Sequence, residues 1–497
     1  MIAEAAFWFL LSLSALRLLV RQPVRRELRA HPGRAAVTGL AIGLFAANAR
    51  WLMHTVPLAR YALLAVLVLI LLFLWIRARP GYGVSRGLPP GSLGVSESLD
   101  ALDDEEFYAK AASRWGPVFK MSQFHRPVVC ITDLSTGGTL LKTCGNALAQ
   151  SEWGYNALVP GGYVEFMNGA AHSQMRTTLA PGFSGEVLAA ARPDIQGAVN
   201  SALMGMEEAS RAHTLVDPRP FMDRVAFQSV VRVVLGVSAG STRCAHLLRS
   251  FAALGAPLDS VLPPPARVKT TFVELTRYVR ELVEEAGQER VPLSTLGRLE
   301  AAQLRDPTVV GNLVLLVSNG GEILSRFLLW TIKRIAEQSA WVNAYRTGSD
   351  AGSDSAATEA TWFVMEELRL NGSPYVYRVL TRDCQFGEWR LPKGWLLRLC
   401  VREAHLSSHM FENPRTFDPC RFRHPYGRGN GYSPFGPSDH ACLGDTLVTE
   451  VARALVATAA LNFSMRLVAD GPPERGNRHW SFWRPSRDLR VHLSPRG

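Results

Sequence analysis

The chain has 497 residues, of which 47% are hydrophobic and 20% charged, so it is not a disordered protein and can bury a large core. Its net charge of +11 is not a nucleic-acid footprint: residues 1–80 hold ten arginines against Glu4 and Glu27, and the remainder is close to neutral. Seven cysteines without a C-x-x-C pair argue against a disulfide scaffold or a zinc ribbon.

In chain order, the first prominent feature is 61–76, sixteen residues without a charge. With Leu58, Ala59 and a snorkelling Arg60 it approaches the ~20 residues that a bilayer requires. Two weaker apolar runs precede it, 5–20 and 35–49; Arg17 inside the first run fits a signal peptide poorly. Five arginines in 21–34, together with Arg77, Arg79 and Arg86, flank a loop at 50–57 that holds only Arg50. By the positive-inside rule the arginine-rich loops are cytoplasmic, whether three helices span or only 58–76 does. The reading is therefore a transmembrane anchor over 1–80, a Pro/Gly-rich hinge over 81–99 and a large cytoplasmic body over 100–497.

The body is predicted to be mainly α with a minor β part. Apolar spacing predicts helices over 103–115, 186–206, 220–236, 272–286, 308–338 and 356–370, and strands over 117–121, 127–132, 385–391 and 395–401. The polar run 346–357 reads as a loop between two helices. No P-loop, zincin or nucleophile-elbow motif is present.

The chemistry concentrates in 366–450. Cys442 sits in a Gly/Pro-rich loop just before a long helix, where helix N-terminal amides favour a thiolate. The loop carries Phe435, Ser438, His440, Cys442 and Gly444. Glu366 and Arg369 fall on one helix face at offsets of three. Arg421 lies in the run Asp418-Pro419-Cys420-Arg421-Phe422, and His172 and Arg176 are four apart upstream of Phe183-Ser184.

These motifs, in this order, resemble the cytochrome P450 haem-thiolate family over about 100–497. Ser438 replaces the first glycine of that family's F-x-x-G-x-[RH]-x-C-x-G loop. The resemblance implies the P450 fold, haem b with Cys442 as the axial thiolate, and Phe435 packed near the sulfur. It implies His172, Arg176, Arg378 and His440 as partners of the haem propionates, and Glu366, Arg369 and Arg421 as a structural ion network. His172 and Arg176 are expected just before a helix. His405 and His409 are four apart but fall in a structural loop of the family, and no metal site is read there.

The distal helix departs from the family. It reads 319-NGGEIL-324, so Asn319, Gly320 and Glu322 are in place but Ile323 stands where the family has a threonine. Three readings stay open: Asn319, one turn earlier on the same face, replaces the hydroxyl; the substrate supplies one; or the enzyme acts without activating dioxygen. Ser325 lies about 200° round the helix and is a poor replacement. A helix opened beside the haem would account for Gly320-Gly321. The principal expectation is a monooxygenase acting on a lipophilic small molecule. The alternatives are a dioxygen-independent isomerase, dehydratase or group-transfer enzyme, and a non-catalytic haem sensor.

By family position the substrate pocket draws on Trp153, Tyr155, Val159, Tyr163 and Phe166, the 251–263 region, Leu316, and Tyr375 and Tyr377. Electrons are expected from a separate ferredoxin or flavoprotein reductase, with Arg176, Arg421, Arg423 and Arg428 as a basic docking face. Membrane association is expected, nucleic-acid binding is not, and the composition leans towards a bacterial member.

Overall fold

The structure is a computed structural model that describes residues 87–94, 97–98, 100–101, 104–123, 126–150, 154–212, 215–254, 265–286, 293–350, 356–373, 375–423, 431–475 and 483–496. The expected anchor over 1–80 and the beginning of the hinge lie outside the described residues. The described part of the hinge is tied to the body. Pro90 O accepts from the Lys120 N–H at 2.7 Å, and Gly91 (φ +119) lies so close to Lys120 that a Cβ would meet its carbonyl oxygen at 2.2 Å.

The helices are α1 (Phe107–Trp115), α2 (Leu134–Cys144), α3 (Gly169–Leu179), α4 (Gly185–Ala212), α5 (Arg219–Leu235), α6 (Thr242–Leu254), α7 (Ala266–Ala286), α8 (Ala301–Arg305), α9 (Pro307–Glu337), α10 (Ser339–Asp350), α11 (Ala356–Asn371), α12 (Val401–His405) and α13 (Asp445–Asn462). The strands are β1 (Val118–Gln123), β2 (Arg126–Ile131), β3 (Leu148–Ala149), β4 (Val376–Leu380), β5 (Cys384–Phe386), β6 (Trp389–Leu391), β7 (Leu396–Leu399), β8 (Phe463–Ala469), β9 (Glu474–Arg475), β10 (Trp483–Arg484) and β11 (Arg490–Pro495). The largest sheet has the order β1-β2-β7-β4-β3, parallel only between β2 and β7.

The mainly helical expectation holds, with local corrections. The helix expected from 103 starts at Phe107, because Asp104 turns the chain by accepting from the Glu106 N–H at 2.9 Å. The strand expected over 385–391 is a hairpin, broken at Gly387 (φ +58), a conformation that glycine adopts without strain. The loop expected over 346–357 begins later, since α10 runs to Asp350. His172 and Arg176 lie inside α3, not before it. One disulfide, Cys144–Cys384, fastens α2 to the β5–β6 hairpin.

The core is organised around α9. It is capped by Asp306, which accepts from the Thr308 N–H at 2.7 Å, and it starts on Pro307, whose missing N–H costs nothing at a first helical position. Its apolar residues are buried on nearly all sides against α5, α7, α11 and α13. It is the one helix among the described residues apolar and long enough to cross a bilayer, and it is a core helix.

Beneath this bundle Glu366 and Arg369 of α11 are fully buried and joined at 2.7 and 2.8 Å, in a bidentate pair. Arg421 Nε reaches the same carboxylate at 3.0 Å, and the Asp418 N–H donates to it at 2.9 Å. Arg369 also donates to the carbonyls of His405 and Pro414, each at 2.7 Å. Every formal charge in the network therefore has partners, which a site of low dielectric demands. Arg369→Ala is expected to destabilise the folded protein by about 3–5 kcal/mol, because it strands the Glu366 carboxylate. Urea unfolding of the variant and the parent protein checks this.

Candidate functional site

The loop before α13 points Cys442 into a cavity of about 390 Å³. Two backbone bonds set its geometry: the Cys442 N–H donates to Phe435 O at 3.0 Å, and the Gly444 N–H donates to Cys442 Sγ at 3.3 Å. Phe435 and Gly444 line the same space, and Gly436 (φ +82) makes the turn between the loop's two arms. The expectation that the helix terminus favours the thiolate needs correcting. Cys442 opens only towards the cavity, and burial pushes its thiol up to about 11, against a smaller opposing effect from the Gly444 N–H. A thiolate here requires a cation on the sulfur.

The loop is anchored from below by His405. Its Nδ1 meets Arg369 O at 3.2 Å, and its Nε2 accepts from the Ser433 N–H at 3.0 Å, immediately before Pro434-Phe435. The two contacts specify the neutral tautomer with the proton on Nδ1. The ring is not a metal ligand but a tie between the ion network and the cysteine loop.

Opposite Cys442, α9 presents Leu316, Asn319, Gly320, Ile323 and Phe327, all lining the cavity on one helix face. Asn319 is 4% exposed; its amide lies within reach of the Tyr163 hydroxyl but completes no well-aligned hydrogen bond among the described residues. Ile323 is 38% exposed, towards this space. Glu322 does not line the cavity; it is ion-paired with Arg326 one turn further on. Ser325 is turned away to Asp223. The helix runs unbroken through Gly320-Gly321, so the expected local opening is absent. Gly321 is required instead by close packing, since a Cβ there would lie 2.6 Å from the Phe227 ring on α5.

Four residues expected at the propionates gather on one side of the cavity. His172 and His440 stack, with ring centroids 3.6 Å apart, and His440 Nε2 meets Met167 O at 3.1 Å. Arg176 donates to Ala441 O at 2.7 Å, and Arg378 to Gln150 Oε1 at 3.0 Å and Tyr377 O at 2.7 Å. Burial and then neighbouring cations depress both imidazoles, His440 to about 4; the single N–H of the neutral His440 ring is spent on Met167 O, so of the two rings only His172 has an N–H to offer an anion. Burial lowers Arg378 to about 10, which leaves it charged at neutral pH.

The pocket expectations divide. Phe166, Tyr163 and Leu316 line the cavity. Tyr375 and Tyr377 line it as well, while their rings also pack around Arg398, 4.2 and 5.4 Å from its guanidinium carbon, and Arg398 Nη1 donates to the Tyr377 hydroxyl at 2.6 Å. Val159 and Phe251 are core residues, packed on α9 and near Phe227. Trp153 and the side chain of Tyr155 lie outside the described residues, as do 255–264 and Arg428. The expected basic docking face is also reduced, because Arg421 and Arg176 are committed to internal bonds. Glu165, which the motif reading passed over, lines the cavity too.

The cavity fits haem. One thiol cannot by itself hold a metal, which takes three or four protein donors, but it can complete an iron whose other ligands come from a macrocycle. No cluster of three metal-binding side chains occurs among the described residues. Two guanidinium groups and two imidazoles on one side suit a pair of carboxylates.

A family model described as Cytochrome P450 matches residues 102–280 and 360–493. An abscisic acid 8'-hydroxylase 3 from Oryza sativa subsp. indica is 24% identical over 405 residues, covering 74% of this chain and 79% of that protein. Cytochrome P450 26C1 from Mus musculus is 25% identical over 438 residues, covering 74% and 81%. The structure of a retinoic acid-bound cyanobacterial CYP120A1 superposes with a TM-score of 0.70 at 23% identity, over 83% of this chain and all of that one.

The His405 tie predicts acid sensitivity. Burial depresses His405 to about 3, below its ordinary 6.5, so between these values the unfolded chain binds a proton that the folded chain does not. Stability falls as pH drops through that window, by about 1.4 kcal/mol per unit, or roughly 2 kcal/mol from pH 6.5 to 5. Urea titrations at both pH values check this, and His405→Gln is expected to lose that part of the pH dependence.

Proposed function

The chain belongs to the cytochrome P450 family, and we propose that it oxidises a lipophilic small molecule held between α9 and the Cys442 loop, using electrons from a separate ferredoxin or flavoprotein reductase. It is a cytochrome P450 monooxygenase with haem as its cofactor. The observation that carries the substrate reading is the cavity wall facing Cys442. Val230, Leu316, Ile323 and Phe327 are apolar, and Asn319 stands among them with the Tyr163 hydroxyl as its polar neighbour.

Bound there, haem supplies a thiolate-supported iron at which dioxygen is activated. Cys442 provides the sulfur, Phe435 shields it, and the Gly444 N–H moderates its charge. Arg176 and Arg378 would neutralise the propionates and His172 would add an N–H donor, while the His440 N–H is held by Met167 O and its ring backs His172 by stacking. Asn319 would replace the hydroxyl lost at Ile323: its carboxamide, lining the cavity, can both donate to and accept from a water. Glu322 is ion-paired with Arg326, whose side chain itself lines the cavity. The arginine pattern of 1–80 supports a membrane anchor with the haem domain on the cytoplasmic side, where a lipophilic substrate partitions.

Two measurements test this. With a surrogate reductase, the protein is expected to consume dioxygen in proportion to product, and Asn319→Leu to divert electrons to peroxide several-fold more. Conversion of an organic hydroperoxide without reductant, with no reductase-driven dioxygen uptake, would instead establish the rearrangement chemistry. Haem transfer to apomyoglobin is expected to run about tenfold faster from Arg378→Ala than from the parent, and only a few-fold faster from His172→Ala, because the charged donor makes the stronger bond.

A further inference from the structure

We propose that Glu165 is a substrate anchor, which selects a lipophilic molecule carrying a positively charged nitrogen. The proposal rests on the reading above that the cavity takes a lipophilic small molecule.

The backbone around Glu165 is rigidly placed. The Val164 N–H donates to Asn312 Oδ1 of α9 at 2.7 Å, and Asn312 Nδ2 returns a bond to Gly162 O at 3.1 Å. The Phe166 N–H closes a turn onto Tyr163 O at 2.8 Å. Tyr163, Val164 and Phe166 are all buried, whereas Glu165 between them has open surface and lines the cavity.

Its carboxyl forms no hydrogen bond or ion pair among the described residues. Arg378 is the cation that acts on it, but that guanidinium is bonded to Gln150 and the Tyr377 carbonyl and makes no ion pair with Glu165. Burial outweighs this attraction and raises the carboxyl to about 7. A carboxylate that opens into the cavity without a hydrogen-bonded partner can pair with a cation that a ligand brings there.

The surroundings suit such a cation. Tyr163 and Phe166, with ring centroids 5.9 Å apart, line the same space and offer aromatic faces. Asn319, 4% exposed beside the Tyr163 hydroxyl, adds a carbonyl oxygen that can accept from an ammonium N–H as well. Beyond this polar end the walls are aliphatic: Val230, Val234, Leu316 and Ile323. An organic carboxylate would meet like charge at the same end.

The test uses the ferric holoenzyme and three probes of equal chain length: decyltrimethylammonium, decanol and decanoate. A quaternary head group cannot ligate iron, so a Soret shift and calorimetric heat both report occupancy of the cavity. The expected result is tighter binding of the ammonium than of decanoate by about tenfold or more. Glu165→Gln should lower the ammonium affinity by about tenfold and leave decanol within about twofold, while Glu165→Asp should keep the preference. Equal haem content in the variants certifies their folding. Decanoate binding as tightly as the ammonium, or an unchanged ratio in Glu165→Gln, overturns the anchor while decanol binding upholds the lipophilic cavity. Failure of decanol itself to bind overturns both.

Discussion

The buried pair Glu366–Arg369 is the contact on which the arrangement around Cys442 depends. An ion pair with no exposed surface tolerates no idle hydrogen-bonding capacity, and here each donor and acceptor is directed at a different stretch of chain. Arg369 gathers the carbonyls of His405 and Pro414, and Glu366 gathers Arg421 and the Asp418 N–H. His405 then passes the constraint upward, since its ring spans Arg369 O and the Ser433 N–H at the foot of the cysteine loop. The position of Cys442 is therefore set by a chain of saturated polar contacts as well as by apolar packing.

Electrostatics divides the cavity into unlike regions. On one side the cations are real only at Arg176 and Arg378, because mutual burial holds the stacked imidazoles neutral. On the thiol side burial opposes charge at Cys442, so its ionisation is coupled to the metal that it binds. Near Tyr163 and Phe166, Glu165 is a carboxyl whose protonation is finely balanced. A site with fixed positive charge for a cofactor and one adjustable negative group beside its apolar walls can treat cofactor and substrate by different rules.

The helix opposite the thiol shows how one replacement redistributes tasks. Ile323 removes a hydroxyl and adds apolar wall, and Asn319 one turn earlier brings an amide to the same face. Glu322 turns to Arg326, and Ser325 to Asp223. Gly321 keeps α9 pressed onto α5 at Phe227, so the helix stays regular where an opening was expected. The face towards the cavity is consequently stiff, and its polar capacity resides in Asn319.

What the amino-acid sequence determined by itself was everything encoded in short spacings. Helical periodicity marked α9 and α11, the offset of three paired Glu366 with Arg369, and the ten residues from Phe435 to Gly444 identified the thiolate loop. These were legible because residues close in sequence have few ways to arrange themselves. The tertiary structure decided whatever depends on segments far apart in the chain. It turned the rings of Tyr375 and Tyr377 to Arg398, converted His405 into a tie, held two imidazoles neutral and raised the Cys442 thiol. It also opened Glu165 to the cavity while its neighbours turned inward. Burial and field at a side chain are sums over everything packed around it, and no local spacing contains that sum.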